Sequence, residues 1–233
     1  MDKIKLSAFR WVPPFAQGLV RDLRVRWALE EAGLPYEERL ITPQDQKTDA
    51  YRKLQPFGQV PAVETEGLAL FESGALVMHI AEQSEALMPV DPRARARVKT
   101  WMFAALNTVE PPIMMLNVID MQPGGVAEEA AKLRESVAEM IGGRLDSLAG
   151  FLGERAHLVE DRFTAADLLM TTVLRILRTT NLVSTRPTLE AYRSRGEERP
   201  AFRRALAAQM TTFAANAPRQ NEDGGAAPQA RAR

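Results

Sequence analysis

The chain has 233 residues, 45% of them hydrophobic, and its 30 basic side chains balance 30 acidic ones to a formal net charge of zero. That is enough apolar material for one large core or two modest ones and excludes wholesale disorder, while the balanced charge gives no electrostatic footprint for nucleic acid. With no cysteine, the protein has no disulfides, no thiolate metal site and no cysteine nucleophile of its own.

Two histidines, His79 and His157, are too few and too far apart for a histidine-rich metal site, so no metal is expected. No apolar run approaches the roughly 20 residues needed to cross a bilayer. The start "MDKIKLSAFRW" lacks the apolar core and cleavage site of a signal peptide. A cytoplasmic protein with neither membrane nor nucleic-acid partner is the expectation.

"KIKLSAF" alternates through Ile4, Leu6 and Ala8 like a strand, leaving Ser7 as an outward polar residue. A helical pattern runs from Leu19 to Ala32 and is closed by Gly33. Its Arg21, Arg24 and Arg26 read as a solvated basic face, any one of which could sit near a site. "YEERLIT" is a second strand, and residues 47–54 suit a short helix. "QVPAVET" and "LALFE" form a hairpin turning at Glu66-Gly67, and helical spacing returns from Ser73 to about Ala86. The βαβ start implies a parallel pair, to which the hairpin adds antiparallel strands.

Beyond "SEALMPVDPRAR" strand signals vanish. Helical patterns run over about 93–119, 126–152, 164–180, 188–195 and 200–215, with Pro111-Pro112 expected to kink or break the first. "QPGG" reads as a turn. In "DRFTAADLLM", Thr164 and Asp167 have capping-box spacing, flanked by Phe163 and Leu168 as a hydrophobic staple. That aspartate is structural. The organisation is residues 1–86 as an α/β domain, 87–93 as a linker, 94–216 as an all-α helical domain, and 217–233 as a tail expected to be disordered.

Four segments, in order, resemble the glutathione transferase family. They are "VRWALEEAGLPYEERLI", "PFGQVPAVETEGLALFESGALVMHIAE", "FTAADLLM" and "RPAFRRAL". The resemblance spans residues 4–215 and implies a thioredoxin-like N-terminal domain followed by an all-α C-terminal domain. It implies glutathione as co-substrate and a homodimer, with the third helix facing the "RARARVKTW" helix of the partner copy.

In this family the proline matching Pro61 is cis, an isomer that only X-Pro bonds adopt cheaply, about 0.5–1 kcal/mol above trans. The resemblance then has the backbone of Val60 pair with the extended tripeptide, as an added strand would. Glu72 and Ser73 meet its zwitterionic γ-glutamyl end, the helix-start amides and the Ser73 hydroxyl taking the carboxylate and Glu72 the ammonium. Ser73 could equally cap its own helix. Gln59 helps on the same side, and Lys47, or else Gln46, suits the glycyl carboxylate.

One feature of the family is missing. From Ala8 to Pro35 there is no Ser, Thr, Tyr or Cys to hydrogen-bond the thiol. Phe15 falls near the position of the family's tyrosine and Leu19 near that of its serine or cysteine. Three alternatives follow. Amides near Gly18 to Val20 stabilise the thiolate, or Gln17 or Arg21 does, or the protein binds glutathione without catalysis. The electrophile, a small hydrophobic molecule, is expected against Trp11, Phe15, Met102, Phe103, Asn107, Met114 or Met115. The expected activity is conjugation of glutathione to such electrophiles, with disulfide or peroxide reduction, or regulatory binding alone, as rivals.

Overall fold

The computed structural model describes residues 4–122 and 128–218. Strands β1 (Ile4–Phe9), β2 (Tyr36–Ile41), β3 (Ala62–Thr65) and β4 (Leu68–Phe71) form one mixed sheet in the order β2-β1-β3-β4. β1 and β2 pair in parallel, as a βαβ crossover through α1 (Asp22–Ala32) requires, and β3 and β4 pair antiparallel across the Glu66-Gly67 turn. A short α2 (Asp49–Arg52) follows β2, and α3 (Ser73–Ala81) follows β4. This is a thioredoxin-like α/β unit.

β1 is an inner strand, so both of its faces are covered. Leu6, Ser7 and Ala8 are all buried. Leu6 and Val63 join the large core with α1 and α3, whereas Ile41, Tyr51 and Val60 make a small core with Phe9, Val20 and Leu54 packed against it. Ser7 is 2% exposed, not outward as the alternation suggested. A period of two marks one wet face only where a sheet has one.

The rest of the described chain is helical: α4 (Pro92–Phe103), α5 (Glu110–Asp120), α6 (Glu128–Leu152), α7 (Ala165–Arg175), α8 (Pro187–Glu198) and α9 (Pro200–Ala215). A π-helical turn, Ala104–Val109, joins α4 to α5 without a break. It lies immediately before Pro111-Pro112, so the missing proline amides are absorbed by a widened turn. The run Pro92–Asp120 is long and apolar enough by composition to cross a bilayer. Here Val98, Met102, Ala105, Ile113 and Leu116 are buried in the core instead, and α5 and α4 pack on α6 and α7.

Several helices differ from their sequence-based bounds, α2 being shorter than 47–54 and α8 longer than 188–195. α1 begins at Asp22 because Gly18 is left-handed (φ 75°) and Leu19 closes a tight turn onto Ala16. α3 ends at Ala81, where Gln83 and Ser84 tighten the chain through i→i−3 bonds. α7 stops at Arg175 for the same reason, continuing as 3₁₀-type turns through Arg178. Segment 87–93 is packed at its start. Leu87 is fully buried and its carbonyl accepts the Ala165 amide at 2.9 Å. Residues 123–125 of the "QPGG" turn and 219–233 of the tail lie outside the described residues.

The capping box opens α7 as its spacing suggests. Thr164 N–H and its hydroxyl both donate to Asp167 Oδ2 at 2.9 Å, while Oδ1 accepts from the Leu158 amide and the Tyr192 hydroxyl, each at 2.9 Å. One buried carboxylate thus ties the α6–α7 connection, α7 and α8 together. Burial pushes its pKa up, opposed by those four bonds.

The two units meet along α1. Trp27 is fully buried against Phe202 (centroids 4.8 Å apart, edge-on) and Phe163 (5.4 Å). Around it, Arg199 pairs bidentately with Glu31 (2.5 and 2.8 Å). Arg26 is fully buried and pairs with Asp22 at 2.7 Å and with Glu38. Gln209 and Thr212 of α9 reach the same two acids. The basic stripe of α1 is therefore largely an interior feature, contrary to the solvated face that its composition suggested.

Candidate active site

The Val60–Pro61 peptide is cis. A hydroxyl relay braces it from below. The Ala62 amide donates to Ser7 Oγ (2.6 Å), Ser7 to the Tyr51 hydroxyl (2.9 Å), and Tyr51 to the Gln59 carbonyl (2.7 Å). Burial pushes the Tyr51 hydroxyl up, which keeps it a donor. Among the described residues the Val60 N–H and C=O enter no backbone hydrogen bond, so both are free for an added strand. Gly58 (φ 63°) permits the close approach of the next loop, since a Cβ there would meet the Gln46 carbonyl at 2.8 Å. The loop that carries Gln46 thus packs against Gly58, the residue before Gln59.

At its far end β4 runs into α3 through Glu72, whose backbone has φ 69°, a conformation that costs a non-glycine residue about 1–3 kcal/mol. Ser73 is the first helical residue and caps nothing. The helix ladder starts at Leu76, whose amide donates to the Glu72 carbonyl, leaving the amides of residues 73–75 to face outward. The Ser73 hydroxyl accepts from Arg24 Nη1 at 3.2 Å, so its own proton remains to be donated. Arg24 is 4% exposed and also donates to Glu110 Oε1 (2.9 Å), which accepts from Arg21 Nη2 as well (2.8 Å).

The charges of this cluster have a direction. Burial works to raise the Glu110 pKa, but Arg24 and Arg21 outweigh it and hold the carboxyl below its usual range. Burial lowers the Arg24 pKa, with the Glu110 charge opposing. Two guanidiniums and one carboxylate leave net positive charge beneath Ser73 and the helix-start amides. The exposed Glu72 carboxylate presents negative charge at the surface. A group that is anionic on one side and cationic on the other fits that polarity.

The segment before α1 is a short 3₁₀ turn, Pro14–Ala16, that carries Phe15 outward, 62% exposed. Gln17 turns its side-chain amide back onto the Val12 carbonyl (3.0 Å), where it braces the loop. Trp11 is half-buried. Arg21 is 40% exposed at its side chain and carries the Glu110 ion pair. Among the described residues no acceptor is seen for the amides of Gly18, Val20 or Arg21.

An apolar cavity of about 290 Å³ lies between α3 and the α4–π segment, lined by Gly74, Ala75 and Met78 on one side and Met102, Phe103, Leu106 and Asn107 on the other, with Glu72 at its edge. It gathers Phe103, Asn107 and Met102. Trp11, Phe15, Met114 and Met115 lie outside its lining. Among the described residues no His, Cys, Asp and Glu cluster could hold a metal ion.

Ser7, Tyr51 and Glu110 carry no local signal in the sequence for a place in this site, and of the three arginines of α1 the sequence does not single out Arg24. The Ser7–Tyr51, Arg24–Glu110 and Arg21–Glu110 pairs join residues 44 to 89 apart along the chain, beyond any local pattern. The double proline after Glu110 was the one available signal that the helix there is deformed.

Comparison with known proteins agrees with this fold and geometry. Residues 17–82 match the model of the glutathione S-transferase N-terminal domain and residues 100–200 that of the C-terminal domain. A glutathione S-transferase of Hyoscyamus muticus is 32% identical over 196 residues, covering 79% of this chain and 92% of the relative. The crystal structure of poplar glutathione transferase F1 superposes with a TM-score of 0.76 at 24% identity, covering 91% of this chain and all of the other. Ure2p in complex with glutathione shares the fold, with a TM-score of 0.76 at 19% identity over 88% and 93% of the two chains. The class is thus a thioredoxin-like domain carrying a helical one. The chain belongs to the glutathione S-transferase family, enzymes whose substrate is glutathione.

Proposed function

We propose that the protein conjugates the glutathione thiolate to small hydrophobic electrophiles, as a cytoplasmic homodimer and without a metal. The observation that carries this reading is the polarity at the start of α3. Buried Arg24, held by Glu110, aligns the Ser73 hydroxyl as a donor beside three free helix amides, with the Glu72 carboxylate outside. That pattern complements an α-amino acid head group, carboxylate inward and ammonium outward.

The remaining roles follow from the same pose. The free N–H and C=O of Val60, next to Pro61, pair with the cysteinyl backbone of the tripeptide. Gln59 supports the γ-glutamyl side, and Lys47 meets the glycyl carboxylate. The sulfur then lies toward the Phe15–Arg21 loop. With Gln17 engaged by Val12, the thiolate is stabilised by the unpaired amides of Gly18 and Val20 and by the charge of Arg21. The electrophile packs against Phe103 and Asn107, with Trp11 and Met114 as outlying apolar walls. The partner copy docks through α3 and α4.

The test is a titration of glutathione binding across pH that follows thiolate ultraviolet absorbance, corrected for tyrosine. Without cysteine in the protein, any thiolate belongs to the ligand. Binding with a thiol pKa well below the ordinary value of about 8.5 is expected. Absence of binding would refute the site. Turnover of an aryl halide in preference to a hydroperoxide or a small disulfide separates conjugation from reduction.

A further inference from the structure

Two arginines of the helical unit reach across to the loop that lacks its hydroxyl. Arg178 Nη2 donates to the carbonyls of Phe15 and Gln17, both at 3.0 Å, and Arg175 Nη2 donates to the carbonyl of Gly18 at 3.2 Å. They reach the same loop because α7 ends in a 3₁₀-type turn, with the Arg178 amide on the Arg175 carbonyl (3.1 Å). In such a turn residues three apart eclipse on one face. Arg175 is held from behind by Glu197 and by the ring of Phe202, 4.7 Å from its guanidinium carbon. Arg178 makes no direct ion pair among the described residues, Glu197 acting on it only through its charge, and its bonds go to the loop carbonyls.

We propose that Arg178 and Arg175 are positioning residues for the reacting thiol. A trans peptide is planar, so its carbonyl and the following N–H point in opposite directions. With the Gln17 carbonyl pinned to Arg178, the Gly18 N–H is directed away from α7. The Ala16 and Leu19 amides, which follow the other two pinned carbonyls, are already spent on Pro13 and Ala16. The Gly18 amide is therefore the one donor that this clamp both orients and leaves free. Gly18 itself fits tightly beneath the clamp, with φ 75° and its missing Cβ position 3.4 Å from Arg178 Nη1 and 3.3 Å from Leu206. The helical unit thereby supplies, through backbone orientation, the hydrogen bond that a tyrosine or serine would give directly.

This inference rests on the proposed glutathione site. Its test compares wild-type, Arg178→Met and Arg178→Lys full-length protein in three readouts: glutathione affinity, the pKa of the bound thiol, and kcat with an aryl halide. Arg178→Met should leave affinity within about twofold, since the tripeptide grip at Val60 and Ser73 is untouched. It should raise the bound-thiol pKa by about one pH unit and lower kcat roughly tenfold, the scale of one charge-assisted hydrogen bond. Arg178→Lys, which keeps the charge and one donor, should recover part of both. A lowered thiol pKa in the wild type that survives unchanged in Arg178→Met overturns this inference alone. A wild-type protein that fails to bind glutathione, or binds it without lowering the thiol pKa, overturns the site reading and this one with it. Equal loss of affinity and kcat in Arg178→Met, unrescued by lysine, assigns Arg178 to structure only and overturns the positioning role.

Discussion

Replacing Ser73 by alanine separates ligand binding from folding at the start of α3. Ser73 is 5% exposed and its hydroxyl does not cap the helix, so its loss removes no helix-terminus bond. It does remove one of the two side-chain acceptors of buried Arg24, whose stronger partner Glu110 remains at 2.9 Å. That loss costs about 1 kcal/mol, or roughly 2–4 °C in Tm for a chain of this size. The ligand loses more. A hydrogen bond from the hydroxyl to the γ-glutamyl carboxylate is charge-assisted and worth about 1.5–3 kcal/mol, which is about 10- to 150-fold in Kd. Isothermal titration of glutathione into both proteins, with melting curves of each, gives the two numbers. Unchanged affinity with a lowered Tm would place Ser73 in the fold alone and refute the head-group assignment.

Other perturbations probe neighbouring links. Glu110→Gln strands the buried Arg24 charge and should cost about 3–5 kcal/mol by denaturant unfolding at pH 7. Because the folded pKa of Glu110 is depressed, its contribution is present above the unfolded carboxyl value and is lost as pH falls through the folded one. Wild type and variant should therefore converge in acid, and a constant difference down to pH 3 would contradict the ion-pair account. Asp167→Ala removes acceptors from Thr164, Leu158 and Tyr192 together and should destabilise by at least about 3 kcal/mol, measured by urea unfolding, without changing the thiol pKa. Phe103→Ala should raise KM for an apolar electrophile severalfold while leaving that for glutathione unchanged. An altered dimer affinity by sedimentation with unchanged KM would move the α3–α4 cavity from the substrate to the partner copy.

Short-range chemistry was legible from the chain alone. The capping box needs only Thr164 and Asp167 three apart, and the hairpin needs only Glu66-Gly67 between two apolar runs. Pro61 marked the strand mouth, and Glu72-Ser73 the start of α3, because proline geometry and helix termini are local properties of the backbone. Even the absence of an activating hydroxyl between Ala8 and Pro35 could be read directly.

What tertiary structure decided was where the charges and hydroxyls point. Ser7 and Arg24 looked like surface residues, but β1 is covered on both faces and α1 is wrapped by α3, α7 and α9. Burial there is tolerable only because partners arrive from far along the chain, Tyr51 for Ser7 and Glu110 for Arg24. Pattern along a chain reports the period of one element. It cannot report which distant element will supply a counter-charge, since a buried ion is stabilised by geometry that exists only after the two units have packed.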